Sequence, residues 1–403
     1  MNVGPACDCS GNSATPGVTS LLVHVSNLAE ISLVYGEAVA SAVLDELCVR
    51  SRVFFEKNDV AVSVSLDGHD IRLAGLSLCD LFSDGETVLC ALAFRPIIVD
   101  GFAILVSLSS QGDGSGMGAP VPRLRRIEPD IYASMMNEAV VAFEAMAEGR
   151  LFLAFQPIQA TDGSDLLYRE CFSRIKPMAG VQEFIAPSNF IPAIEWLGLV
   201  RLFDRFVALA TIDALRAAPL ERLGCNISAQ SAVDDVYWAS IFNMLAVEPE
   251  LAARLVVEIT ETSALPDSKA ARKFVARLHH LGCQVAVDDF GVGFSSIRQI
   301  VALRPDIIKV DGGFLRDAVE KVFGDEFLSK LIALSSCLAA HVVVEGVEDE
   351  RRMVVAHAAG AQWVQGYYIA RPSEFRDWSL KAVSAAEVAG RVKIQDAGGA
   401  VTS

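Results

Sequence analysis

Short apolar runs recur along the chain from about residue 150 onward, and segments of helical length separate most of them. One such segment, residues 267–281, places Phe274, Leu278 and Leu281 on one helical face and precedes Gly282, a typical helix stop. The runs are LFLAFQPI, LLYRECF, GCNIS, LVVEIT, QVAVDDF, IIKVD, HVVVEGV and WVQGYYI. Eight strands with helical connections in roughly 230 residues are typical of a (β/α)8 barrel.

The first two apolar runs lie too close together for a helix between them. Only a short polar segment containing Asp162-Gly163 separates them. We therefore predict that the barrel opens with a hairpin, which makes it a variant of the TIM-like (β/α)8 barrel. The predicted fold class is α/β, with the barrel at residues 150–385.

A smaller unit is predicted before the barrel, at residues 18–111. An apolar run, a segment of helical spacing at 27–55 and a β-rich run at 60–66 give the order βαβ. Asp100-Gly101 follows, between apolar runs at 91–99 and 102–108, and predicts a two-residue hairpin in an α+β domain. The remaining predicted segments are disordered tails at 1–17 and 386–403, and a Gly/Ser/Pro-rich linker with a connecting helix at 112–149.

Composition and charge narrow the classes of function. A net charge of −16 over 403 residues argues against nucleic-acid or anionic-membrane partners, which need a basic surface. The sequence has neither an apolar run of about 18 residues nor a secretory signal at its start, so we expect no membrane span and a cytoplasmic location. The scattered cysteines suit reduced, buried thiols better than a disulfide framework.

Polar side chains lie at the carboxyl ends of successive predicted strands, where the reactive groups of a barrel converge. Carboxylate and amide oxygens without His or Cys suit Mg²⁺ or Mn²⁺ better than zinc. Because crowded acidic groups repel one another, we predict two ions, which are the usual apparatus for cleaving a phosphodiester. Lys309 would stabilise the developing charge or orient the attacking water. The converging residues are Glu170, Asn226, Glu258, Asp288 with Asp289, Lys309 with Asp311, Glu345 and Gln365.

Two other interpretations of the adjacent aspartates Asp288 and Asp289, a protein-kinase motif and a dinucleotide-binding loop, disagree with the rest of the sequence. A protein-kinase DFG motif would need an HRD catalytic loop and a glycine-rich loop with its lysine, and neither precedes them. The following glycines approximate a GxGxxG dinucleotide loop, but the third glycine is missing. Neighbouring residues of a regular strand point to opposite faces, so both aspartates reach one site only if the chain leaves β geometry between them. Gly291 and Gly293 favour that exit.

Several short motifs accompany these residues. They are Gln156-Pro157-Ile158, Glu170 with Arg174, Phe190-Ile191-Pro192, Asn226-Ile227-Ser228, Glu258-Ile259-Thr260-Glu261, Asp288-Asp289-Phe290-Gly291, Lys309-Val310-Asp311, Glu345-Gly346-Val347-Glu348 and Gln365-Gly366-Tyr367. Together they resemble the EAL-domain phosphodiesterases, which hydrolyse cyclic di-GMP to linear pGpG. The resemblance covers about residues 150–385 and implies a two-metal hydrolase that forms a homodimer through the EAL domain.

The resemblance also implies roles for individual residues. Gln365 would lie near the attacking water, Arg174 would contact a substrate phosphate, and Glu261 would brace the loop after the two aspartates. The implied sets are metal ligands Glu170, Asn226, Glu258, Asp288, Asp289 and Asp311, catalytic residues Lys309, Glu345, Glu261 and Gln365, and substrate-binding residues Arg174 and Gln156, and the resemblance also places Glu345 at the metal site.

The sequence departs from the family pattern in two places. The Glu-Ala-Leu triplet reads Glu170-Cys171-Phe172, which keeps the carboxylate but changes the group expected beside a guanine. The loop after the aspartates has Val292 and Phe294 in place of Thr and Tyr. A second hypothesis therefore stays open, a catalytically silent receptor that binds cyclic di-GMP and signals through a protein partner. A third is a phosphodiesterase for another nucleotide.

The amino-terminal unit resembles a degenerate GGDEF domain, the domain that makes cyclic di-GMP. The resemblance rests on residues 26–37 and on residues 66–71, LDGHDI, where the family reads LGGDEF. Only Gly68 and Asp70 partly suit GTP phosphates and Mg²⁺, and an aspartate pair is missing from the first turn. We therefore expect no cyclase activity, and both GTP as an allosteric ligand and a structural role remain open.

Overall fold

The structure, a computed structural model, describes residues 19–58, 60–75, 85–112, 128–177, 184–260, 268–292, 297–322 and 326–374. Within these ranges an amino-terminal antiparallel sheet precedes a closed eight-stranded barrel. The predicted tails, 1–17 and 386–403, lie outside the described residues, and the predicted domain boundaries stay predictions.

The amino-terminal unit combines a four-stranded sheet with a separate hairpin. The sheet has the order β2-β3-β1-β6, and each neighbouring pair is antiparallel. Its strands are β1 (Thr19–Val25), β2 (Ser63–Asp67), β3 (Asp70–Gly75) and β6 (Leu108–Gly112), and the hairpin joins β4 (Ile97–Val99) to β5 (Phe102–Ile104). Its helices are Leu28–Tyr35, Glu37–Lys57 and Gly85–Ala93. The predicted α+β unit and its Asp100-Gly101 turn are confirmed.

Two details of this unit differ from the prediction. The long helix expected at 27–55 is two helices, because the chain turns at Gly36 with a φ of 97° that suits glycine. Residues 91–93 end a helix rather than begin a strand, since Val88, Leu89 and Leu92 are buried at helical spacing. The strand itself begins at Ile97.

The barrel contains all eight predicted strands. They are β7 (Leu151–Ala160), β8 (Leu166–Ile175), β9 (Leu223–Ser228), β10 (Leu255–Thr260), β11 (Gln284–Phe290), β12 (Ile307–Val310), β13 (His341–Val344) and β14 (Trp363–Val364). β7 is antiparallel to both neighbours, β8 and β14, whereas the other neighbouring pairs are parallel. The predicted opening hairpin is therefore confirmed, and the carboxyl ends of β8 to β14 share one end of the barrel.

Helices connect the parallel strands and cover the outside of the barrel. Their bounds are Ile191–Trp196, Val200–Ala217, Val236–Val247, Pro249–Ala252, Ser268–His280, Ile297–Leu303, Gly312–Val319, Phe327–Ser336 and Glu350–Ala358, with short 3-10 turns at Pro187–Asn189 and Ala229–Ser231. None of the helices in the described ranges has the length and apolar character needed to cross a lipid bilayer.

The two units pack against each other through the helix Pro129–Ala147 and the end of β6. The ring centroids of Tyr132 and Trp196 lie 5.6 Å apart in an edge contact. The Tyr237 hydroxyl donates a hydrogen bond of 2.8 Å to the carbonyl of Leu108. One continuous hydrophobic core therefore extends from the amino-terminal sheet to the helices around the barrel.

Candidate active site

The polar residues inside the barrel form a layer directly above an apolar one. Side chains along a strand alternate between its faces, so residues two apart share a face. A small core inside the barrel includes Tyr168, Val256, Ala286, Ile307 and Val343. Two positions further along the same strands lie Glu170, Glu258, Asp288, Lys309 and Glu345. Period-two spacing thus brings the predicted charged residues into one layer at the carboxyl ends.

Lys309 lies at the centre of this layer and is 1% exposed. Its Nζ is 2.7 Å from a carboxylate oxygen of Glu170 and 2.9 Å from an oxygen of each of Glu258, Asp288 and Glu345. Burial opposes the charge of the ammonium, but these carboxylates hold the pKa of Lys309 well above its usual range. Lys309 is therefore a fixed positive charge.

The surrounding carboxylates carry more negative charge than one lysine can balance. Burial and the charge of Glu170 raise the pKa of Glu258. Burial also raises the pKa values of Asp288 and Glu345, against the effect of the nearby ammonium. Burial and the charge of Asp288 raise the pKa of Asp289 to about 6. The charged forms of these groups are thus disfavoured until further positive charge enters the site.

The carboxylates form two groups that share one member. In each group the three residues offer oxygen atoms that all lie within 4.8 Å of one another. Because Asp288 belongs to both, the arrangement suits two neighbouring cations with a common ligand. The groups are Glu170, Glu258 and Asp288, and Asp288, Asp289 and Glu345.

Buried oxygen atoms without hydrogen bonds also fit a metal ion. Asn226 donates through Nδ2 to Oε1 of Glu170 at 2.6 Å. Its own Oδ1 is buried and has no hydrogen-bond donor among the described residues, and neither does Oε1 of Glu258. A buried acceptor without a partner is costly, and a hard cation with oxygen ligands would satisfy both atoms.

Asp289 reaches this site because β11 is irregular at its end. Its φ is +55°, and the pairing of β11 with β12 shifts register between Val287 and Phe290. The predicted exit from β geometry between the two aspartates is confirmed. Gly291 follows with a φ of 102°, and a Cβ there would approach the Phe314 ring to 2.5 Å. The other glycine of this prediction, Gly293, lies outside the described residues.

Gln365 and Gln156 hold Glu170 from the side of β7. Gln365 donates through Nε2 to Oε2 of Glu170 at 2.7 Å and to Oε1 of Gln156 at 3.1 Å. Gln156 donates in turn to the carbonyl of Ala370 at 2.9 Å. Both predicted glutamines therefore lie at the site, where Gln365 orients the carboxylate of Glu170 and Gln156 orients Gln365.

Asp311 has a different environment from the other predicted ligands. Its Oδ1 accepts a hydrogen bond of 2.8 Å from the Gly313 N–H and so caps the helix Gly312–Val319. In the described part of the chain it belongs to neither carboxylate group. It does line the adjoining cavity, and its predicted metal role stays a prediction.

A cavity of about 260 Å³ adjoins the charged layer. The Arg174 guanidinium lies 5.4 Å from the Phe172 ring centroid, and the Arg371 guanidinium lies 4.4 Å from that of Tyr367. Arg174 itself is not among the lining residues, and burial lowers its pKa. The lining residues are Gln156, Phe172, Asp311, Gly312, Glu345, Gly346, Glu348, Gln365, Gly366 and Tyr367.

Comparison with known proteins agrees with this geometry. A family model described as the EAL domain matches residues 140–372, more than half of the chain. The chain belongs to the EAL domain family. Cyclic di-GMP phosphodiesterase PdeF of Escherichia coli K12 is 31% identical over 248 residues, which are 60% of this chain and 32% of PdeF. Cyclic di-GMP phosphodiesterase PdeL of the same organism is 28% identical over 217 residues, 51% of this chain and 59% of PdeL. The chain therefore spans less than two thirds of either relative.

Solved structures share the fold of this EAL domain. The FimX EAL domain from Pseudomonas aeruginosa bound to c-di-GMP is 27% identical, with a TM-score of 0.52, over 61% of this chain and 100% of that chain. Vibrio cholerae LapD, as an S helix-GGDEF-EAL structure bound to c-di-GMP, gives a TM-score of 0.51 at 17% identity. That match covers 88% of this chain and 90% of LapD, so the likeness of fold extends over both units.

The EAL domain also depends on residues that the sequence did not single out. A Cβ at Gly224, on β9, would overlap Oε1 of Glu258 and the ring of Tyr168. Tyr168 is buried beneath the carboxylates. A glycine inside a strand often marks a close approach, and this was the available signal for Gly224. Glu261 and Phe294 lie outside the described residues, so their expected roles stay predictions.

Proposed function

We propose that this chain hydrolyses cyclic di-GMP to linear pGpG with two Mg²⁺ or Mn²⁺ ions. Water adds to one phosphorus, the bond from that phosphorus to a ribose 3′ oxygen breaks, and this oxygen becomes a hydroxyl by taking a proton. The observation that carries the proposal is the pair of carboxylate groups that share Asp288 around Lys309. The names of the related phosphodiesterases supply the substrate.

The residues of the two carboxylate groups would hold the ions, one group each, and Asn226 would join the group that contains Glu170. When bound, the ions supply charge stabilisation at the phosphate and activation of the attacking water. Lys309 adds a buried positive charge that neutralises the developing negative charge on the phosphate or orients the water. Gln365 keeps Glu170 in position through its 2.7 Å hydrogen bond.

The cavity beside these residues would receive one nucleotide half of the substrate. Phe172 and Tyr367 offer aromatic surfaces against which a guanine can stack. The Arg174 guanidinium lies over the Phe172 ring, 5.4 Å from its centroid, and would provide a cation for a phosphate. Phe172, which replaces the leucine of the family triplet, therefore sits where it can alter substrate affinity.

The loop side of the barrel would form a homodimer. Val292, Ile297 and Val301 are exposed by 66%, 50% and 54%, next to the loop that follows Asp289. Large apolar side chains grouped on a surface favour association with another protein surface. Sedimentation of the purified chain tests this part, and a monomer at micromolar concentrations would contradict it.

The amino-terminal unit would have a regulatory or structural role without cyclase activity. Asp70, the acidic residue of its GGDEF-like turn, is engaged by Nδ1 of His24 at 2.6 Å. Asp67 on the same turn pairs with Arg72 at 2.5 Å. These acidic groups are thus already paired within the sheet. GTP as an allosteric ligand is tested by adding it to the assay below.

The decisive experiment incubates the full chain with cyclic di-GMP and Mg²⁺ and separates the products by chromatography. We expect linear pGpG from the wild type and no product when the divalent metal is chelated. Glu170→Gln is the matched inactive variant, because it keeps the size of the side chain and removes a charged ligand. Saturated binding of cyclic di-GMP without turnover would contradict the enzyme and support the silent receptor.

A further inference from the structure

Asp204 is a buried carboxylate that the proposed reaction does not use. It lies on the helix Val200–Ala217, outside the barrel, and is 4% exposed. Its Oδ2 accepts a hydrogen bond of 2.8 Å from the backbone N–H of Ser228. Ser228 is the last residue of β9 and follows Asn226 by two positions.

The backbone around Ser228 lacks strand pairing on one side. Within the described residues, the pairing of β9 with β8 ends at Cys225, whereas its pairing with β10 continues to Ser228. The stretch from Asn226 to Ser228 therefore relies on other groups on the β8 side. The carboxylate of Asp204 takes the Ser228 N–H there, where a strand carbonyl would otherwise accept it.

The turn after β9 is held at a second point. The Ser228 hydroxyl accepts from the Gln230 N–H at 3.4 Å and caps the short turn Ala229–Ser231. The Trp238 indole N–H donates to the carbonyl of Ser231 at 2.9 Å. Trp238 is itself buried, with its ring centroid 4.8 Å from that of Phe274. The carboxyl end of β9 is thus fixed between two buried side chains.

A carboxylate is an expensive acceptor in this place, where the Ser228 N–H and the side chain of Ser231 are the groups that stabilise its charge. Burial raises the pKa of Asp204 to about 7, which reflects the cost of keeping its charge away from water. A neutral acceptor would satisfy the same donor at lower cost, but above about pH 7, where Asp204 is charged, its hydrogen bond is charge-assisted and therefore shorter and stronger. What the charge adds is tighter control of the backbone position.

We propose that Asp204 is a positioning residue for Asn226: it holds the unpaired side of β9 so that Oδ1 of Asn226 stays directed toward a metal ion at the Glu170 group. The inference rests on the proposed function, since it assumes that Asn226 is a ligand. Partners behind a metal ligand commonly change metal affinity when they are replaced.

The test compares three variants of the full chain with the wild type. Asp204→Asn keeps the shape and one acceptor oxygen but loses the charge, and Asp204→Ala removes the acceptor. Asp213→Asn is the matched control, because Asp213 is an exposed aspartate on the same helix. For each protein we would measure Mn²⁺ affinity by calorimetric titration, the unfolding temperature in chelator, and kcat and KM for cyclic di-GMP.

We expect Asp204→Asn to unfold at the wild-type temperature or above, because a neutral amide is cheaper to bury than a carboxylate. Its Mn²⁺ affinity should fall on the order of tenfold, with a larger loss in Asp204→Ala and none in Asp213→Asn. In saturating Mn²⁺, kcat of Asp204→Asn should return close to the wild-type value. KM for cyclic di-GMP should stay unchanged.

Two results would overturn the inference. One is unchanged Mn²⁺ affinity in Asp204→Asn, and the other is a loss of affinity accompanied by a lower unfolding temperature in that variant, which indicates a merely structural role. A wild type that binds Mn²⁺ without hydrolysing cyclic di-GMP would contradict the proposed enzyme but leave the comparison of Mn²⁺ affinities intact. A wild type that binds no Mn²⁺ would overturn both.

Discussion

The barrel and the amino-terminal sheet both place acidic side chains near strand ends, but these side chains are paired in the buried interior of the barrel and on a partly exposed face of the sheet. In the barrel, Lys309 is 1% exposed and contacts four buried or largely buried carboxylates. In the sheet, Asp70 pairs with His24 through side chains that are 26% and 37% exposed. Charge interactions are strong where water is excluded and weak where it is present. The buried carboxylates of the barrel therefore interact strongly with a cation, whereas the pair in the sheet adds little energy.

Replacing Lys309 should have the largest effect on activity and on stability. In Lys309→Ala the buried carboxylates lose their only resident counter-charge within the described layer, and a phosphate bound there would lose the positive charge of the ammonium. We expect kcat to fall by at least about a hundredfold. The chelated protein should be less stable by about 3 kcal/mol or more, because buried charges are left unpaired.

The matched control for this prediction is Lys330→Ala, since Lys330 is exposed and pairs with Glu326 one helical turn away. Product assays and denaturant unfolding in chelator provide the two measurements. Wild-type activity in Lys309→Ala would mean that the catalytic site has been placed wrongly.

The next largest effect on activity should come from Gly224→Ala, which adds a methyl group. In Gly224→Ala the added Cβ would overlap Oε1 of Glu258 and force that carboxylate or Tyr168 to move. A displacement of about 1 Å in a reacting group can cost about a hundredfold in rate, so we expect a loss of kcat of that order together with weaker Mn²⁺ binding. Cys225→Ala, at the next position of β9, is the control and should keep its activity. Full activity of Gly224→Ala would show that Glu258 does not need its present position.

The pH dependence of stability should report on the charged layer of the barrel through Asp289. The folded pKa of Asp289 is about 6 against an ordinary value of 3.8, so the folded chain binds more protons than the unfolded chain between these values. The contribution of Asp289 to the stability of the chelated protein should therefore fall as pH rises from about 4 to 6, and Asp289→Asn should lack this change. Mn²⁺ affinity should rise over the same interval. Thermal unfolding and Mn²⁺ titration at a series of pH values measure both, and a stability difference between the wild type and Asp289→Asn that does not fall through this window would contradict the assignment.

A smaller effect is expected from the residue that departs from the family triplet. Phe172→Leu removes an aromatic surface from the cavity and from Arg174. We expect KM for cyclic di-GMP to rise roughly fivefold with little change in kcat, because stacking and cation–π contacts are worth about 1 kcal/mol. Phe184→Leu, at an exposed phenylalanine that contacts Phe152, is the control. A lower KM in Phe172→Leu would show that the ring obstructs the substrate.

The sequence predicted what depends on local periodicity. The apolar runs located all eight barrel strands, and the short link at Asp162-Gly163 identified the hairpin. The adjacency of Asp288 and Asp289 predicted the break in β11 because a regular strand cannot direct both to one side. Each inference needed only the alternation of side chains along a strand.

Features that depend on contacts between distant residues were not predictable in this way. The overlap of a Gly224 Cβ with Glu258 and Tyr168 joins three strands. The support of β9 by Asp204 joins a strand end to a helix that precedes it in the chain. Asp311 was assigned from its place at the end of a predicted strand and from its motif, and its bond to the Gly313 N–H follows from a helix start that neither of them reveals.

The smallest effect on stability should come from breaking the His24–Asp70 pair of the amino-terminal sheet. A small effect there would sharpen the contrast with the buried charges of the barrel. His24→Ala breaks the contact with Asp70 on a partly exposed face, so the free energy of unfolding should change by less than about 1 kcal/mol. If the unit is only structural, turnover with and without GTP should equal that of the wild type, and Asp67→Asn on the same turn as Asp70 should behave alike. A change in turnover in His24→Ala at unchanged stability would instead mean that this face communicates with the barrel. The shared core between the two units offers a route for such a signal, so a measurable change would favour regulation over a structural role.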